Sequence, residues 1–472
     1  MDITELSISQ LVKSIKSGEI SVKEVMKSYI ENINKKESKI KAFIHLDIDN
    51  ALKKAEELDR MREKNGVLFG VPFAVKDNIN VLNTETTAGS KILKGYISPY
   101  DATAVEKVKK ENAIIIGKTN MDEFAMGSST ENSAFFPAHN PVNVEYVPGG
   151  SSGGSAAAVK SKEVLAALGS DTGGSVREPA SFCGIVGLKP TYGLVSRYGL
   201  IAFSSSLDQI GPLARNVEDA AVLLNVIAGF DSRDETSVNI EKKDYTALLG
   251  KEIKGKKIGI IKEITDFDLQ QEIKSALNKT VDTLNKLQAE VIEVSIPHLK
   301  YALPVYYIIA PSEASANLAR FDGVRYGLIR EGNNLKETYQ LTRTEGFGEE
   351  VKRRILIGTF ALSSGYYDAY YLKASKVRRI IANEFENAFK KVDALLLPTT
   401  ATTAFKIGEK KSPLEMYATD IFTIPVNLAG LPAISIPSGN DKKGLPIGMQ
   451  LIGKWFKEEE LLQIAYSIEN GG

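Results

Sequence analysis

The sequence contains two glycine- and serine-rich segments, GGSSGGS at residues 149–155 and GSDTGGS at residues 169–175. The apolar run VLAAL at 164–168 directly precedes the second segment. Glycine permits tight turns and close approach of the backbone to a ligand, and it exposes consecutive N–H groups. Serine adds hydroxyl groups that can donate, accept or attack. The apolar run fits a buried strand or the end of a helix of small residues. We therefore interpret residues 149–178 as the floor of an active site.

The overall composition is that of an ordinary soluble globular protein. The 472 residues are 43% hydrophobic and 25% charged, and 59 basic residues balance 59 acidic ones. A net charge of zero gives no general attraction to nucleic acid or to an anionic membrane. The N-terminal residues resemble no signal peptide, and no segment is apolar enough to span a bilayer, so we expect a cytoplasmic protein without membrane contact.

The single cysteine, Cys183, excludes an internal disulfide and a zinc site built from cysteines. Cys183 lies in the apolar stretch FCGIV, where a buried structural residue is more common than a nucleophile. We assign no metal site to the chain.

The first part of the chain alternates helix and strand patterns. Residues 5–35 are predicted to be helical, with a capping box formed by Ser21 and Glu24. The apolar run at 69–77 predicts an interior strand that ends near Lys76. A helix from Thr103, capped with Glu106, to about Glu111 and a strand at 113–117 follow, which is typical of a βαβ unit.

The same alternation continues to the C-terminus. We predict elements that share apolar periodicity and turn signals at their ends: a helix at 216–229, a strand-helix-strand unit at 257–294, mainly helices at 300–392, a central strand at 393–398, a hairpin at 432–452 and a final helix around 461–465. These elements predict an α/β fold. We expect a single large domain at 1–472, in which helices cover both faces of a mixed, twisted β-sheet. We place the catalytic core at about 65–230 and a helical, substrate-pocket region at about 300–430.

The chain lacks an obvious histidine base for serine chemistry. His45 and His298 lie at a strand edge or in a loop, and His139 stands between two prolines. GGSSG at 149–153 fits the G-x-S-x-G pattern, but the preceding YVP makes a poor strand for a nucleophile elbow. A lysine can act as the base if burial lowers its pKa, and Lys76 is placed for that role. Taken alone, a lysine that follows a strand is more often a solvated strand end than a base.

Lys76 and the two glycine-serine segments together resemble the amidase signature family. Ser151 and Ser175 are separated by 175 − 151 = 24 residues, as in that family, and the similarity continues through residues 171–180 and 187–191. The resemblance implies that Ser175 is the nucleophile, that Ser151, in a cis peptide, relays the proton, and that Lys76 is the base. It further implies an oxyanion hole formed by the backbone N–H groups of Thr172, Gly173, Gly174 and Ser175.

Within the family, the chain is most similar to the glutamine-hydrolysing subunits of tRNA-dependent amidotransferases. The similarity is carried by residues 119–131, 312–323, 366–371 and 420–430. It implies that the chain has no cofactor of its own and supplies ammonia to a B subunit. That subunit would use ATP and Mg²⁺ to amidate mischarged Glu-tRNA(Gln) or Asp-tRNA(Asn), and a small C subunit would complete the heterotrimer.

Glutamine carries a carboxylate and an ammonium group, so its pocket should offer one charge of each sign. The resemblance points to Arg354 for the carboxylate and Asp420 for the ammonium group, with Tyr306 beside them. Arg353 adjoins Arg354, and either arginine fits a solvated helix face. Two other functions stay open at this point: a stand-alone amidase acting on another amide, and a non-catalytic scaffold, which the presence of Lys76, Ser151 and Ser175 disfavours.

Overall fold

A mixed β-sheet of eleven strands forms the centre of the computed structural model, which describes residues 2–410 and 412–471. The strands are β1 (Phe43–Leu46), β2 (Pro72–Lys76), β3 (Ile114–Thr119), β4 (Ala166–Asp171), β5 (Val186–Lys189), β6 (Gln209–Ala214), β7 (Lys257–Ile261), β8 (Glu290–Val294), β9 (Ala394–Pro398), β10 (Ala433–Asn440) and β11 (Pro446–Gly453).

The strand order places the two glycine-serine segments beside Lys76. Across the sheet the order is β1-β3-β2-β4-β6-β5-β10-β11-β9-β7-β8. Strand β2 is parallel to both β3 and β4, and β7 is parallel to β8 and β9; the other neighbouring pairs are antiparallel. Because β2 and β4 are parallel neighbours, Lys76 and Asp171 end adjacent strands at the same edge, where ligands commonly bind in sheets of this kind.

Helices connect and cover the strands. They are α1 (Ile8–Ser17), α2 (Val22–Ile40), α3 (Ile48–Arg60), α4 (Thr103–Lys110), α5 (Gly153–Lys160), α6 (Arg177–Cys183), α7 (Val217–Ile227), α8 (Gln271–Lys286), α9 (Ala302–Asn317), α10 (Leu335–Gly346), α11 (Glu349–Ala361), α12 (Lys373–Phe389), α13 (Pro413–Tyr417), α14 (Ile424–Ala429) and α15 (Glu458–Asn470). None of the helices in the described part of the chain combines the length and the apolar character that a membrane crossing requires.

Strand β9 shows that the sheet is buried on both faces. Its side chains alternate between two hydrophobic clusters, with Ala394 and Leu396 in one and Leu395 and Leu397 in the other. Successive residues of a strand point to opposite faces, so each cluster packs helices against one face of the sheet. The first cluster includes residues of α2, α7 and α15, and the second includes residues of α9, α12 and α14. The predicted α/β fold with helices on both faces is confirmed.

The predicted helix over residues 5–35 is wrong in its continuity. Gly18, at φ 78°, caps the end of α1, and α2 starts four residues later. A left-handed conformation suits glycine, and it turns the chain between the two helices. The capping box of α2 is confirmed, since Ser21 Oγ accepts from the Glu24 N–H at 3.1 Å and Glu24 accepts from the Ser21 N–H at 2.8 Å.

Other local predictions have mixed outcomes. Thr103 does not cap α4; it is the first helical residue, and its hydroxyl donates to Asp231 instead. The run at 164–168 leads into a strand, β4, which is buried along its whole length. The hairpin of β10 and β11 is confirmed.

Candidate active site

Lys76 lies at the end of β2, completely buried, with its amine surrounded by hydroxyl groups. Nζ is 2.6 Å from Ser151 Oγ, 2.8 Å from Ser152 Oγ and 2.9 Å from Ser170 Oγ. Ser151 and Ser152 precede α5, and Ser170 comes from the neighbouring strand β4. The two glycine-serine segments and β2 therefore converge on one amine, as the sequence predicted for Ser151.

Burial lowers the pKa of the Lys76 ammonium to about 7, although the carboxylates of Asp122, Asp171 and Asp208 act in the opposite direction. A charged amine loses its hydration in the interior, and neutral hydroxyls replace that hydration only in part. A large fraction of Lys76 is consequently uncharged near neutral pH, so its lone pair is available to accept a proton.

Ser175 lies in the turn between β4 and α6, 6% exposed, close to the first glycine-serine segment. A Cβ atom on Gly150 would lie only 3.1 Å from Ser175 Cα, and Gly150 has φ 44°. Only glycine accommodates both this close approach and this backbone conformation easily. Gly150 thus lets the first glycine-serine segment approach the backbone of Ser175 closely.

The turn from Thr172 to Ser175 presents its backbone N–H groups without using them for folding. Within residues 2–410 and 412–471, none of these four N–H groups has a hydrogen-bond acceptor. Buried N–H groups are nearly always paired, so consecutive free ones suggest a place for an anionic atom. This arrangement is compatible with the predicted oxyanion hole.

A buried ion pair holds this turn in shape. Arg177 donates to Asp171 through Nε at 3.0 Å and through Nη2 at 2.9 Å, and both side chains are fully buried. Although burial opposes ionisation, the Arg177 guanidinium holds the pKa of Asp171 at about 2. Arg177 also donates to the Thr423 carbonyl at 3.0 Å. The pair joins the two ends of the turn and connects them to the segment that precedes α14.

Tyr306 and Asp420 adjoin the same turn. A Cβ atom on Gly173 would lie 2.8 Å from the Tyr306 hydroxyl oxygen, and one on Gly174 would lie 3.1 Å from Asp420 Oδ1. Both side chains are buried. Two of the three residues that the resemblance assigned to the substrate pocket, Tyr306 and Asp420, therefore lie beside the segment that carries Ser175.

Arg354 is buried in a cage of aromatic rings. Its guanidinium carbon is 5.5 Å from the ring centre of Phe203 and 5.3 Å from those of Tyr307 and Tyr417. Nε donates to Glu350 at 2.8 Å, whereas the two terminal nitrogens have no acceptor among the described residues. The rings hold the guanidinium by cation–π attraction and leave one edge of it available for a carboxylate. The neighbouring Arg353 is 43% exposed and pairs with the other oxygen of the same Glu350 carboxylate, which is 11% exposed.

The structure differs from the sequence-based expectations in two respects. All peptide bonds among the described residues are trans, so the cis peptide implied at Ser151 is absent, and Gly150 makes the turn into Ser151 through its positive φ instead. Ser152 and Ser170 contact Lys76 but received no role from the sequence. Their presence inside the two glycine-serine segments was the available signal.

Comparisons with known proteins agree with this geometry. The profile of the family described as Amidase matches residues 24–462. The chain is 55% identical over 470 residues to the A subunit of Glutamyl-tRNA(Gln) amidotransferase from Halothermothrix orenii, and the match covers 99% of this chain and 98% of that protein. It is 57% identical over 474 residues to the protein of that name from Carboxydothermus hydrogenoformans, covering 99% and 98%.

Solved structures show the same similarity. The A subunit of Glutamyl-tRNA(Gln) amidotransferase from Thermotoga maritima has a TM-score of 0.84 and 47% identity, over 99% of this chain and 95% of that one. A bacterial aryl acylamidase described as belonging to the amidase signature enzymes has a TM-score of 0.87 and 27% identity, over 99% and 96%.

Replacing Asp171 with Asn should destabilise the protein by about 3–5 kcal/mol, because the buried Arg177 guanidinium then lacks a counter-charge. Scanning calorimetry should show a lower melting temperature. The control is Glu56→Gln, which breaks the exposed Lys23–Glu56 pair and should leave the melting temperature unchanged. Equal melting temperatures for both variants and the wild type would contradict the structural role of the pair.

Proposed function

The chain belongs to the amidase signature family, and we propose that it is the glutamine-hydrolysing subunit of a Glu-tRNA(Gln)/Asp-tRNA(Asn) amidotransferase. Curated relatives named as the A subunit of such an enzyme are 54–57% identical along almost the whole chain. The aryl acylamidase and the peptide amidase with solved structures are 27% and 30% identical. This difference favours the amidotransferase over a stand-alone amidase.

The buried contact between Lys76 Nζ and Ser151 Oγ supports the proposed chemistry most directly. Neutral Lys76 takes the hydroxyl proton of Ser151, and Ser151 in turn takes the proton of Ser175. The Ser175 oxygen attacks the side-chain amide carbon of glutamine, and a tetrahedral intermediate forms. Lysine serves as the base because its pKa, unlike that of an exposed lysine, lies near neutrality.

The N–H groups of Thr172, Gly173, Gly174 and Ser175 stabilise the negative oxygen of this intermediate, at about 3–4 kcal/mol for one such donor. When the C–N bond breaks, the proton on Lys76 returns through Ser151 to the departing nitrogen, which leaves as ammonia. Water then attacks the acyl-enzyme, with Lys76 and Ser151 again accepting its proton. Glutamate is released, and Ser175 regains its own proton.

Arg354, Asp420 and Tyr306 recognise the free amino-acid end of the substrate. The edge of the Arg354 guanidinium that has no acceptor among the described residues suits the α-carboxylate, and Asp420 suits the α-ammonium group. The Tyr306 hydroxyl lies beside the turn at Gly173. In this proposal the core at about 65–230 carries out the chemistry, and the helical region at about 300–430 selects the substrate.

The ammonia then passes to a B subunit, which activates the mischarged tRNA with ATP and Mg²⁺ and amidates it, while a C subunit stabilises the contact between the other two. Relatives of this chain carry the name of an amidotransferase subunit, which supports a multi-subunit assembly. The proposed site of action is the cytoplasm, where tRNA is aminoacylated.

Replacing Ser175 with Ala should abolish glutamine-dependent amidation of tRNA in the complex and leave ammonia-dependent amidation intact, because only the nucleophile is lost. Ser181→Ala is a matched control, since Ser181 is also buried but lies later in α6, and its hydroxyl has no partner among the described residues. Loss of both activities in Ser175→Ala would contradict the proposed division of labour.

The activity should depend on the ionisation of Lys76. Its pKa is lowered to about 7 by burial, and only the neutral amine accepts a proton. The value of kcat/KM for glutamine should therefore fall about tenfold per pH unit below pH 7 and level off above it. A pH–rate profile that stays flat between about pH 5.5 and pH 8.5 would contradict lysine as the base.

Replacing Arg354 with Gln should raise KM for glutamine about 10- to 100-fold, because two charge-assisted hydrogen bonds to the carboxylate are lost. Steady-state kinetics of the complex measure this effect. Arg353→Gln removes the same charge one residue earlier at an exposed position and should change KM less than about twofold. If the two variants behave alike, Arg354 is not the carboxylate ligand.

A further inference from the structure

Glu178 is a buried acid that the mechanism above does not use. It lies in the first turn of α6, three residues after Ser175, and it is fully buried. Among the described residues, neither of its carboxyl oxygens has a hydrogen-bond donor. An ionised carboxylate without a donor is strongly destabilised in the interior. The surroundings of Glu178 therefore require either a proton on its carboxyl group or a cation beside it.

The carboxyl group of Asp420 provides the missing partner. Both residues lie at the turn that carries Ser175: the Glu178 N–H donates to the Gly174 carbonyl at 2.8 Å, and a Cβ atom on Gly174 would lie 3.1 Å from Asp420 Oδ1. Each of the two carboxyl groups shifts the pKa of the other. Two carboxylates only accept, so they can bond only when one of them carries a proton. An O–H···O⁻ bond of this kind is short and strong. One shared proton thus satisfies Glu178 and gives Asp420 a second donor besides the Ser128 hydroxyl.

The charges around the pair determine which acid keeps the proton. Burial and the negative charge of Asp420, with a smaller contribution from Asp122, raise the pKa of Glu178 well above its ordinary value, although the Thr419 hydroxyl acts in the opposite direction. Burial also raises the pKa of Asp420, to about 6, while the Ser128 hydroxyl and the positive charge of Arg354 act in the opposite direction. Asp420 also faces Asp171, Tyr306 and Tyr307. These directions favour an ionised Asp420 and a protonated Glu178.

We propose that Glu178 remains protonated at neutral pH and is a positioning residue that donates its O–H to Asp420, fixing that carboxylate to receive the α-ammonium group of an amino-acid amide. The inference rests on the proposed function for its substrate. It extends that function, because recognition of the α-ammonium group by Asp420 then depends on a second acid, Glu178, that does not contact the substrate.

Infrared difference spectroscopy of the full-length chain tests the proton itself, independently of any activity. Subtracting the Glu178→Gln spectrum from that of the wild type at pH 7 should leave the carbonyl stretching band of a protonated carboxyl group. Glu263→Gln is the control. Burial alone would raise the pKa of Glu263, but hydrogen bonds from Ser295 and Ile296 outweigh burial and lower that pKa. That variant should remove only carboxylate bands. A difference spectrum for Glu178 that contains carboxylate bands alone would overturn the proposal.

Kinetics of the complex test the positioning role with two substrates, glutamine and 4-carbamoylbutanoate, which lacks only the α-amino group. Glu178→Gln keeps a donor, so KM for glutamine should stay within about twofold of the wild type. Glu178→Ala removes the donor and should raise KM for glutamine about tenfold, with kcat and both constants for 4-carbamoylbutanoate nearly unchanged.

The outcomes separate the two proposals. If Glu178→Ala leaves KM for glutamine unchanged, or if Glu178→Gln raises it as much as Ala does, the positioning role is wrong while the proposed function stands. If the wild type hydrolyses no glutamine, the proposed function fails, and the infrared spectrum alone then supports or overturns the protonated state of Glu178. Should Glu178→Ala not fold, Glu178→Gln and the infrared spectrum still decide between these results.

Discussion

The removal of one amine from water governs the chemistry of this protein. Lys76 is the last residue of a buried strand, and the closest polar neighbours of its amine within the described residues are the hydroxyls of Ser151, Ser152 and Ser170. Hydroxyls cannot compensate a positive charge as a carboxylate would, so the interior favours the neutral amine. The fully buried Lys118 has a different partner, since its Nζ lies 3.2 Å from Asp77. Burial lowers the pKa of Lys118 as well, but the neighbouring carboxylate of Asp77 acts in the opposite direction. The nearest polar groups thus distinguish Lys76, the proposed base with hydroxyl neighbours, from Lys118, which forms an ion pair with a carboxylate.

The backbone around the amine is arranged by two different constraints. Gly150 allows the first glycine-serine segment to pass within van der Waals contact of Ser175, which no larger residue would permit. The Asp171–Arg177 pair then fixes the turn that presents the N–H groups of residues 172–175. Neither Gly150 nor the Asp171–Arg177 pair contacts a substrate in the proposed mechanism. Both determine where the reacting atoms can be, which is the usual contribution of a rigid scaffold to catalysis.

Sequence reasoning succeeded where the signal is local. The strand that ends at Lys76, the capping box at Ser21 and the hairpin of β10 and β11 each depend on neighbouring residues alone. It failed where a partner is distant in the chain. Thr103 was predicted to cap α4, but its hydroxyl donates to Asp231, 128 residues away. The choice between Arg353 and Arg354 also required the structure, because adjacent helical residues face different directions and only packing shows which one enters the aromatic cage. The acid pair of Glu178 and Asp420 left no pattern in the sequence.

The ionisation of Lys76 can be measured without any assumption about substrate or partners. Lysine side chains labelled with ¹³C at the ε position can be titrated by NMR, and comparison with a Lys76→Met variant assigns the resonance. A midpoint near pH 7, the pKa to which burial lowers this amine, is the expected result. A midpoint near 10.5, the ordinary value, would mean that Lys76 is charged throughout the physiological range and cannot accept the proton of Ser151.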